Sequence, residues 1–275
     1  MRRIDAHQHF WRLSRGDYGW LTPRHAPIFR DFEPQELAPL LMRNAIDATV
    51  LIQAAPTVSE TLYMLSLADR NAFVAAVVGW TDFAAQDAAA QIARLAVHPK
   101  LRGMRPMIQD ISDVDWMLRP ELAPAFEALE ERDLVFDALV LPHHLPNLAT
   151  LLTRHPGLRV VVDHCAKPPI GSGEFAEWAS DIATIARDGR AYCKLSGLVT
   201  EAGSGWSVAQ LRRYVDHVLA EFGPQRMVWG SDWPVCLLAA SYDAWIAASE
   251  ELLGSCSAED RQAIFGGNAA RLYRL

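Results

Sequence analysis

The chain has 275 residues, of which 51% are hydrophobic and 21% are charged, and this composition excludes a disordered chain. A net charge of −7 and the lack of a basic amphipathic stretch argue against nucleic acid and membrane surfaces as partners. Four cysteines without a CxxC pair, no apolar run of about 18 residues and no signal-peptide pattern predict a cytoplasmic protein with reduced thiols.

Eight short apolar segments are predicted to be strands, and they alternate with longer segments of helical spacing. In chain order the predicted strands are 3–9, 47–54, 73–80, 101–107, 134–140, 158–164, 190–196 and 226–232. Segments such as VVVD and FVAAVVGW are continuously apolar rather than alternating. Such runs are typical of parallel strands that are buried on both faces of a sheet.

Helical segments with recognisable ends separate these strands. Thr57 and Glu60 form a predicted capping box at the start of one helix. Ser257 with Asp260 begins a last helix, which the glycine pair 266–267 is expected to end. Further helical segments lie at 120–132, 142–154, 174–187 and 208–222.

The repeated strand–helix alternation predicts a single domain over residues 1–275, a (β/α)8 TIM-like barrel, regular or distorted, with an extra C-terminal helix. Such a barrel needs about 250 residues. The alternative is an open doubly wound sheet, but residues 9–20 contain no GxGxxG phosphate loop. The connections 10–33, 165–173 and 197–206 all follow strands. We therefore expect them on the C-terminal rim, where barrel active sites lie.

Four polar residues stand at the ends of three predicted strands. His7 and His9 are two apart, so both side chains should lie on the same side of the first strand, as two metal ligands or as two hydrogen-bonding groups. Alone this pair is weak evidence, because nine histidines in 275 residues readily produce one by chance. His164 closes the sixth strand and Asp232 the eighth. Titratable residues at the ends of apolar barrel strands are typical of a catalytic centre.

Five motifs, in order, resemble the amidohydrolase superfamily and most closely its branch of sugar-lactone hydrolases. They are IDAHQHFW at 4–11, DHCAKP at 163–168, CKLSGL at 193–198, GSDWPV at 230–235 and FGGNAARLYRL at 265–275. The resemblance covers essentially the whole chain and implies a barrel hydrolase. It also implies that His7, His9, His164 and Asp232 take the places of the superfamily's first-strand, sixth-strand and eighth-strand site residues.

The sequence departs from the superfamily pattern at two strands. The fourth strand has no lysine or glutamate to bridge two metal ions, and His143 and His144 lie beyond the fifth strand. These departures argue against a two-metal centre. They leave open one divalent ion, most readily zinc, and catalysis without a metal. The candidate metal ligands are His7, His9, His164 and Asp232.

The resemblance implies that an activated water opens a lactone ring in a sugar-catabolism pathway. Asp232 is the expected general base. His164 with Arg105 or Lys194 is expected to stabilise the carbonyl oxygen. Arg105 is preferred over Arg102, because residues three apart on a strand face opposite sides. Aromatic faces with a few polar groups suit a polyol ring. The candidate substrate-binding residues are Trp11, Trp20, Trp80, Trp233 and Lys167.

The number of positively charged side chains that point into the barrel indicates the class of substrate. A dicarboxylate would need several inward arginines, and the sequence offers one or two, so a neutral sugar lactone is preferred. The alternatives within the superfamily are a metal-dependent non-oxidative decarboxylase and a hydrolase of a lactone from aromatic degradation. A non-catalytic sugar-binding barrel is the alternative from a different class. The sequence leaves a homo-oligomer open.

Overall fold

Eight parallel strands form one sheet in which each strand pairs with the next along the chain, as seen in a computed structural model that describes residues 2–275. The strands are β1 (Ile4–Gln8), β2 (Ala48–Ile52), β3 (Val74–Gly79), β4 (Leu101–Met104), β5 (Val135–Ala138), β6 (Arg159–Val162), β7 (Tyr192–Leu195) and β8 (Met227–Trp229). Each lies inside one of the eight ranges that the apolar pattern predicts. The predicted barrel architecture is therefore confirmed.

Helices follow the strands and cover the outside of the barrel. They are α1 (Pro34–Arg43), α2 (Val58–Arg70), α3 (Ala88–Leu95), α4 (Ala123–Glu131), α5 (Leu145–Arg154), α6 (Ala176–Arg187), α7 (Leu198–Ala202), α8 (Val208–Phe222), α9 (Tyr242–Leu252), α10 (Ala258–Gln262) and α11 (Asn268–Tyr273). In α5, for example, Leu145, Leu148 and Leu152 are buried, at the spacing of three and four residues that makes one apolar face. Within residues 2–275, none of the helices combines the length and apolarity that crossing a bilayer requires.

The first and last strands close the barrel at its C-terminal end. The backbone N–H of Asp232 donates to the carbonyl of His7 over 2.8 Å, and that of His9 donates to the carbonyl of Trp233 over 2.7 Å. Gly230 permits this approach, because a Cβ there would lie 2.5 Å from the Cβ of His7. The closure therefore brings Asp232 beside two histidines that precede it by more than 200 residues.

Small and β-branched side chains fill the barrel interior, and α11 covers its N-terminal end. The interior side chains are Ile4, Ala6, Ala48, Val50, Ile52, Ala76, Val78, Val135, Val161 and Val228. Leu272 and Tyr273 of α11 pack into the same cluster. The Asn268 amide fixes the helix by donating to the carbonyls of Pro224 and Met227, each over 2.7 Å. The extra C-terminal helix thus closes one end of the barrel and leaves the other free.

The prediction that the glycine pair 266–267 ends the last helix is wrong. α10 continues through a π-helical turn, Ala263–Gly267, into α11. The reason for glycine at 266 is proximity to the N-terminal segment, because a Cβ there would lie only 1.9 Å from the Arg2 carbonyl oxygen. This glycine marks a close backbone contact between the two ends of the described chain rather than a helix stop.

Replacing Gly266 with alanine should destabilise the fold by at least about 2 kcal/mol, since overpacking usually costs about 1–3 kcal/mol and here the obstacle is backbone. Thermal unfolding should show a Tm lower by roughly 4 °C or more. Gly19→Ala is the control, because its new Cβ would meet nothing within 4 Å and its φ is not positive. Equal Tm values for the two variants would contradict the assigned contact.

Candidate active site

A cavity of about 160 Å³ lies at the C-terminal end of the barrel. Its lining residues are His9, Trp20, Ala54, Arg105, Met107, Gln109, Asp110, Leu139, His164, Lys167, Asp232 and Val235. His7 is fully buried immediately beside His9. The residues that follow β1, β2, β4, β6 and β8 therefore meet in one place, although they are far apart in the chain.

One side-chain atom from each of His7, His9 and Asp232 lies within 3.7 Å of the other two. The Nε2 atoms of the two imidazoles are 3.2 Å apart. The Oδ1 atom of Asp232 lies 3.3 Å from Nε2 of His9 and 3.7 Å from Nε2 of His7. All three side chains are buried, so solvent does not screen the interactions between them.

The outer nitrogen of each histidine faces an acceptor. Nδ1 of His9 lies 2.8 Å from the carbonyl oxygen of Ile52, to which it donates. Nδ1 of His7 faces a carboxylate oxygen of Asp163 at 3.6 Å. Burial lowers the pKa of both imidazoles and so favours their neutral forms, in which a proton on Nδ1 leaves a lone pair on Nε2. In that form two lone pairs face the Asp232 carboxylate, and the Arg105 guanidinium lies 3.3 Å from one of them, at Nε2 of His7. A bound cation would also be stabilised between these three groups.

The three atoms fit one divalent ion. Their separations of 3.2 to 3.7 Å are close to the edge of about 3.3 Å expected for a tetrahedral zinc site with bonds of about 2.0–2.1 Å. The contacts of Nδ1 with a carbonyl and a carboxylate are those that hold metal-binding histidines in position. His7, Asp163 and His164 form a second candidate group. There, however, Lys194 and Arg105 already neutralise Asp163.

The electrostatics of Asp232 favour its charged form. Burial raises the pKa of this carboxyl, but the imidazoles of His164, His9 and His7, one of them within hydrogen-bond distance, outweigh burial and hold the pKa well below its usual range. Its backbone adopts a left-handed conformation with φ of 57°, which L-residues rarely populate. Such strain is found where a side chain must be held in one direction for function.

His164 begins a run of four left-handed residues, 164–167, with φ between 51° and 58°. Its Nδ1 lies 2.8 Å from the hydroxyl oxygen of Ser196. Gly197 leaves room for the ring, since a Cβ there would lie 2.6 Å from Nδ1. Burial lowers the pKa of His164 to about 4, so that its imidazole is neutral at neutral pH. It can therefore donate or accept a hydrogen bond in the cavity without carrying charge.

The structure places Lys194 beneath the cavity rather than in its lining. Its side chain is fully buried beneath the cavity and contacts Asp137 over 2.6 Å and Asp163 over 2.7 Å. The phenol of Tyr273 donates to the same Asp137 carboxylate over 2.7 Å. Because both acidic neighbours already hold the ammonium, Lys194 orients Asp163 against His7 and does not reach the cavity.

Arg105 lies inside the barrel, whereas Arg102 lies on the outer surface. Nη1 of Arg105 is 3.2 Å from Asp163 and 3.3 Å from Nε2 of His7, and Nη2 donates to the carbonyl of Gln53. The guanidinium therefore borders the cavity with most of its donors engaged. It supplies a fixed positive charge next to the histidines.

Four buried carboxylates that support the site are missing from the sequence-based set. Asp137 and Asp163 belong to the Lys194 network described above. Asp5 accepts from the backbone N–H groups of Ser231 over 2.8 Å and His7 over 3.2 Å. Glu60 accepts from the N–H of Ala55 over 2.7 Å instead of completing the predicted capping box. Burial raises the pKa of Asp5 to about 6 and that of Glu60 to about 8.

The tryptophans divide into cavity residues and packing residues. Trp20 lines the cavity and is held by a 2.7 Å hydrogen bond from its indole N–H to the carbonyl of Ala54. Trp80 lines a neighbouring cavity. Trp11 and Trp233 are buried, with ring centroids 5.6 and 5.3 Å from that of Phe32. Trp11 and Trp233, which the sequence also predicts as substrate contacts, therefore pack on Phe32 and do not line the cavity.

The chain is similar to known proteins along almost its whole length. A family model described as amidohydrolase matches residues 4–275. The chain is 48% identical to the L-fucono-1,5-lactonase of Burkholderia ambifaria and 40% identical to that of Burkholderia multivorans, each over 99% of this chain and 96% of the relative. A crystal structure of a Burkholderia multivorans amidohydrolase with bound zinc superimposes with a TM-score of 0.95 at 39% identity, covering 100% of both chains.

Proposed function

Because this chain belongs to the amidohydrolase family, we propose that its substrate is L-fucono-1,5-lactone, which it opens to the corresponding aldonic acid. The broader prediction of a hydrolase that opens a sugar lactone in sugar catabolism is confirmed. The observation that carries the specific substrate is the 48% identity to an L-fucono-1,5-lactonase along 99% of the chain. A cavity of about 160 Å³ also suits a single sugar ring rather than a larger ligand.

The proposed reaction begins with a water molecule beside Asp232. The ionised carboxylate takes a proton from this water, whose oxygen forms a bond to the carbonyl carbon of the lactone. The bond between that carbon and the ring oxygen then breaks. The proton held by Asp232 passes to the departing ring oxygen, which becomes a hydroxyl group. Atoms and charge balance, since the product carboxylic acid loses its own proton to solvent.

Arg105 and His164 are proposed to stabilise the negative charge that develops on the carbonyl oxygen. Both line the cavity, and both are held in place by neighbours, Asp163 for the guanidinium and Ser196 for the imidazole. Preorganised donors of this kind need no rearrangement as the charge appears. Lys167 lines the same cavity with an ion pair to Glu201 at 3.6 Å and is proposed to bind a substrate hydroxyl.

His7, His9 and Asp232 are proposed to hold one divalent ion, zinc being preferred because the donors are two imidazoles and a carboxylate. When bound, such an ion supplies Lewis-acid chemistry at a carbonyl or a water. His164 is proposed to remain outside this group, because its ring nitrogens do not lie with the converging atoms of His7, His9 and Asp232.

The substrate assignment is tested with a panel of aldonolactone stereoisomers. Proton release followed with a pH indicator should give a kcat/KM of at least about 10⁴ M⁻¹s⁻¹ for L-fucono-1,5-lactone, within the usual range for enzymes. Stereoisomers that differ at one carbon should react at least about tenfold more slowly. Rates no higher than spontaneous opening for every lactone would refute the proposal.

Metal content tests the proposed ion. Purified protein should contain close to one zinc ion per chain by atomic emission, and His9→Ala should weaken zinc binding by at least about tenfold. His98→Ala is the matched control, because His98 is partly exposed and pairs with Asp69 on the surface. Zinc bound equally well by both variants would show that the metal site lies elsewhere.

A further inference from the structure

A second cavity, of about 550 Å³, adjoins the catalytic one. Trp20, Met107 and Asp110 line both cavities, so the two are neighbours across these three side chains. Because the catalytic cavity accommodates one sugar ring, the larger space next to it remains available for a further part of a substrate.

The walls of the second cavity are mainly apolar, and four of the thirteen lining residues are aromatic. Besides Trp20 they include Trp80, Trp116 and Phe83, and the last two rings lie 6.4 Å apart. Flat aromatic faces of this kind give a large contact area to a rigid ring that has an apolar face of its own. The residues come from the long connection after β1 and from the segments that follow β3 and β4.

The polar groups of the second cavity are carboxylates. Asp17, Asp82 and Asp110 line it, and no lysine, arginine or histidine of residues 2–275 does. Asp17 is paired with Arg15, whereas Asp82 and Asp110 are exposed and bonded only to groups next to them in the chain. Carboxylates accept hydrogen bonds and repel anions. The matching ligand part is therefore not an anion, donates hydrogen bonds and has an apolar face.

A pyranose ring meets all three requirements, since its hydroxyl groups donate and its C–H face is apolar. We propose that the second cavity binds a glycosyl group attached to the lactone, so that the enzyme also opens the lactones of disaccharide aldonic acids. This inference rests on the proposed lactonase function and extends it to larger substrates. The glycosidic bond stays intact, and the reaction at the lactone ring is the one described above.

The test compares a simple lactone with its glycosylated derivatives. L-fucono-1,5-lactone is assayed beside two derivatives that carry a hexopyranosyl group at different hydroxyls, each prepared by oxidation of the corresponding disaccharide. At least one derivative should be opened with a kcat/KM no more than about tenfold below that of the simple lactone. A derivative carrying a hexyl ether at the same hydroxyl should react at least about fivefold more slowly than the glycosyl one, because it donates no hydrogen bonds.

Two variants locate the glycosyl group. Asp82→Ala should raise the KM of the glycosylated lactone by about fivefold or more, the scale of one lost hydrogen bond, with little change in kcat. Ile111→Trp fills the second cavity and should lower kcat/KM for that substrate by at least about tenfold. Both variants should open the simple lactone at rates within about threefold of the wild type. Asp216→Ala, which removes an exposed carboxylate on α8, should change neither substrate.

The outcomes separate this inference from the function on which it rests. If the simple lactone is opened and neither glycosylated derivative is, the inference fails while the proposed function stands. If no lactone is opened, the proposed function fails first. If Asp82→Ala and Ile111→Trp lowered kcat/KM equally for the simple and the glycosylated lactone, the inference would also be overturned. Equal turnover of the hexyl and glycosyl derivatives would have the same consequence.

Discussion

Asp232→Asn is expected to lower kcat by at least about 100-fold, the scale of losing a general base. The amide keeps the shape of the carboxylate but takes no proton from water. Its Oδ1 atom can still face His9, which lies 3.3 Å from the present carboxylate. We therefore expect a fold of nearly unchanged stability and a KM changed by much less than kcat.

Two measurements keep this prediction interpretable. The zinc content of Asp232→Asn, determined on the sample used for kinetics, separates loss of a base from loss of a metal ligand. Thermal unfolding of the same sample checks the fold. A variant that retains its zinc and its Tm and still turns over at more than about one tenth of the wild-type rate would remove Asp232 from the role of base.

Lys194→Met is expected to destabilise the protein by about 3–5 kcal/mol, the usual effect of removing one member of a buried ion pair. Asp137 and Asp163 would remain buried without the ammonium that lies 2.6 and 2.7 Å from them. Urea unfolding measures the loss. Adding Asp137→Asn to the variant should recover part of it, because one uncompensated charge is then removed.

A surface pair provides the control for Lys194. Arg212 lies 3.8 Å from Glu251, and both side chains are substantially exposed, so Arg212→Met should cost no more than about 1 kcal/mol. A loss below about 1 kcal/mol for Lys194→Met as well would contradict the buried network. The kcat of the Lys194→Met/Asp137→Asn double variant then shows whether the ammonium contributes to the reaction beyond its support of Asp163.

The fold could be predicted from the sequence because parallel strands that are buried on both faces have a simple sequence pattern, a short run of continuous apolar residues. The same apolar runs predict that His9, His164 and Asp232 lie close together, because each residue stands at the end of a run. In a barrel, the C-terminal ends of all strands meet at one rim. Residues that close such runs therefore share a site, whatever their distance along the chain.

The buried charged residues that support the site could not be paired from the sequence, because the sequence does not show in which direction each side chain points. Lys194, Asp137 and Asp163 all lie within or next to apolar strands, and a charged residue in such a run must find a partner. That signal was available for Asp137 in VFDA and Asp163 in VVVD. Which residues pair across the barrel depends on strand tilt and register, so the sequence alone predicts a contact between Lys194 and the substrate and not its pairing with Asp137 and Asp163.

The roles of the tryptophans could not be separated for a related reason. Trp11 and Trp20 belong to the same long connection, yet one ring is fully buried and the other lines the cavity. The path of a connection of more than twenty residues is decided by contacts such as the pairing of Trp11 with Phe32, which periodicity does not reveal. Composition predicted aromatic side chains at the rim without distinguishing which of them face a ligand.

The link from Tyr273 through Asp137, Lys194 and Asp163 to His7 has a consequence for biosynthesis. The ribosome adds the phenol of Tyr273, which completes the link, some 260 residues after it has added His7. A nascent chain therefore holds the histidine pair without its final surroundings until residue 273 has cleared the exit tunnel. Chains that stop before residue 273 therefore leave the buried Asp137 carboxylate without its phenol donor, however many of their strands have already paired.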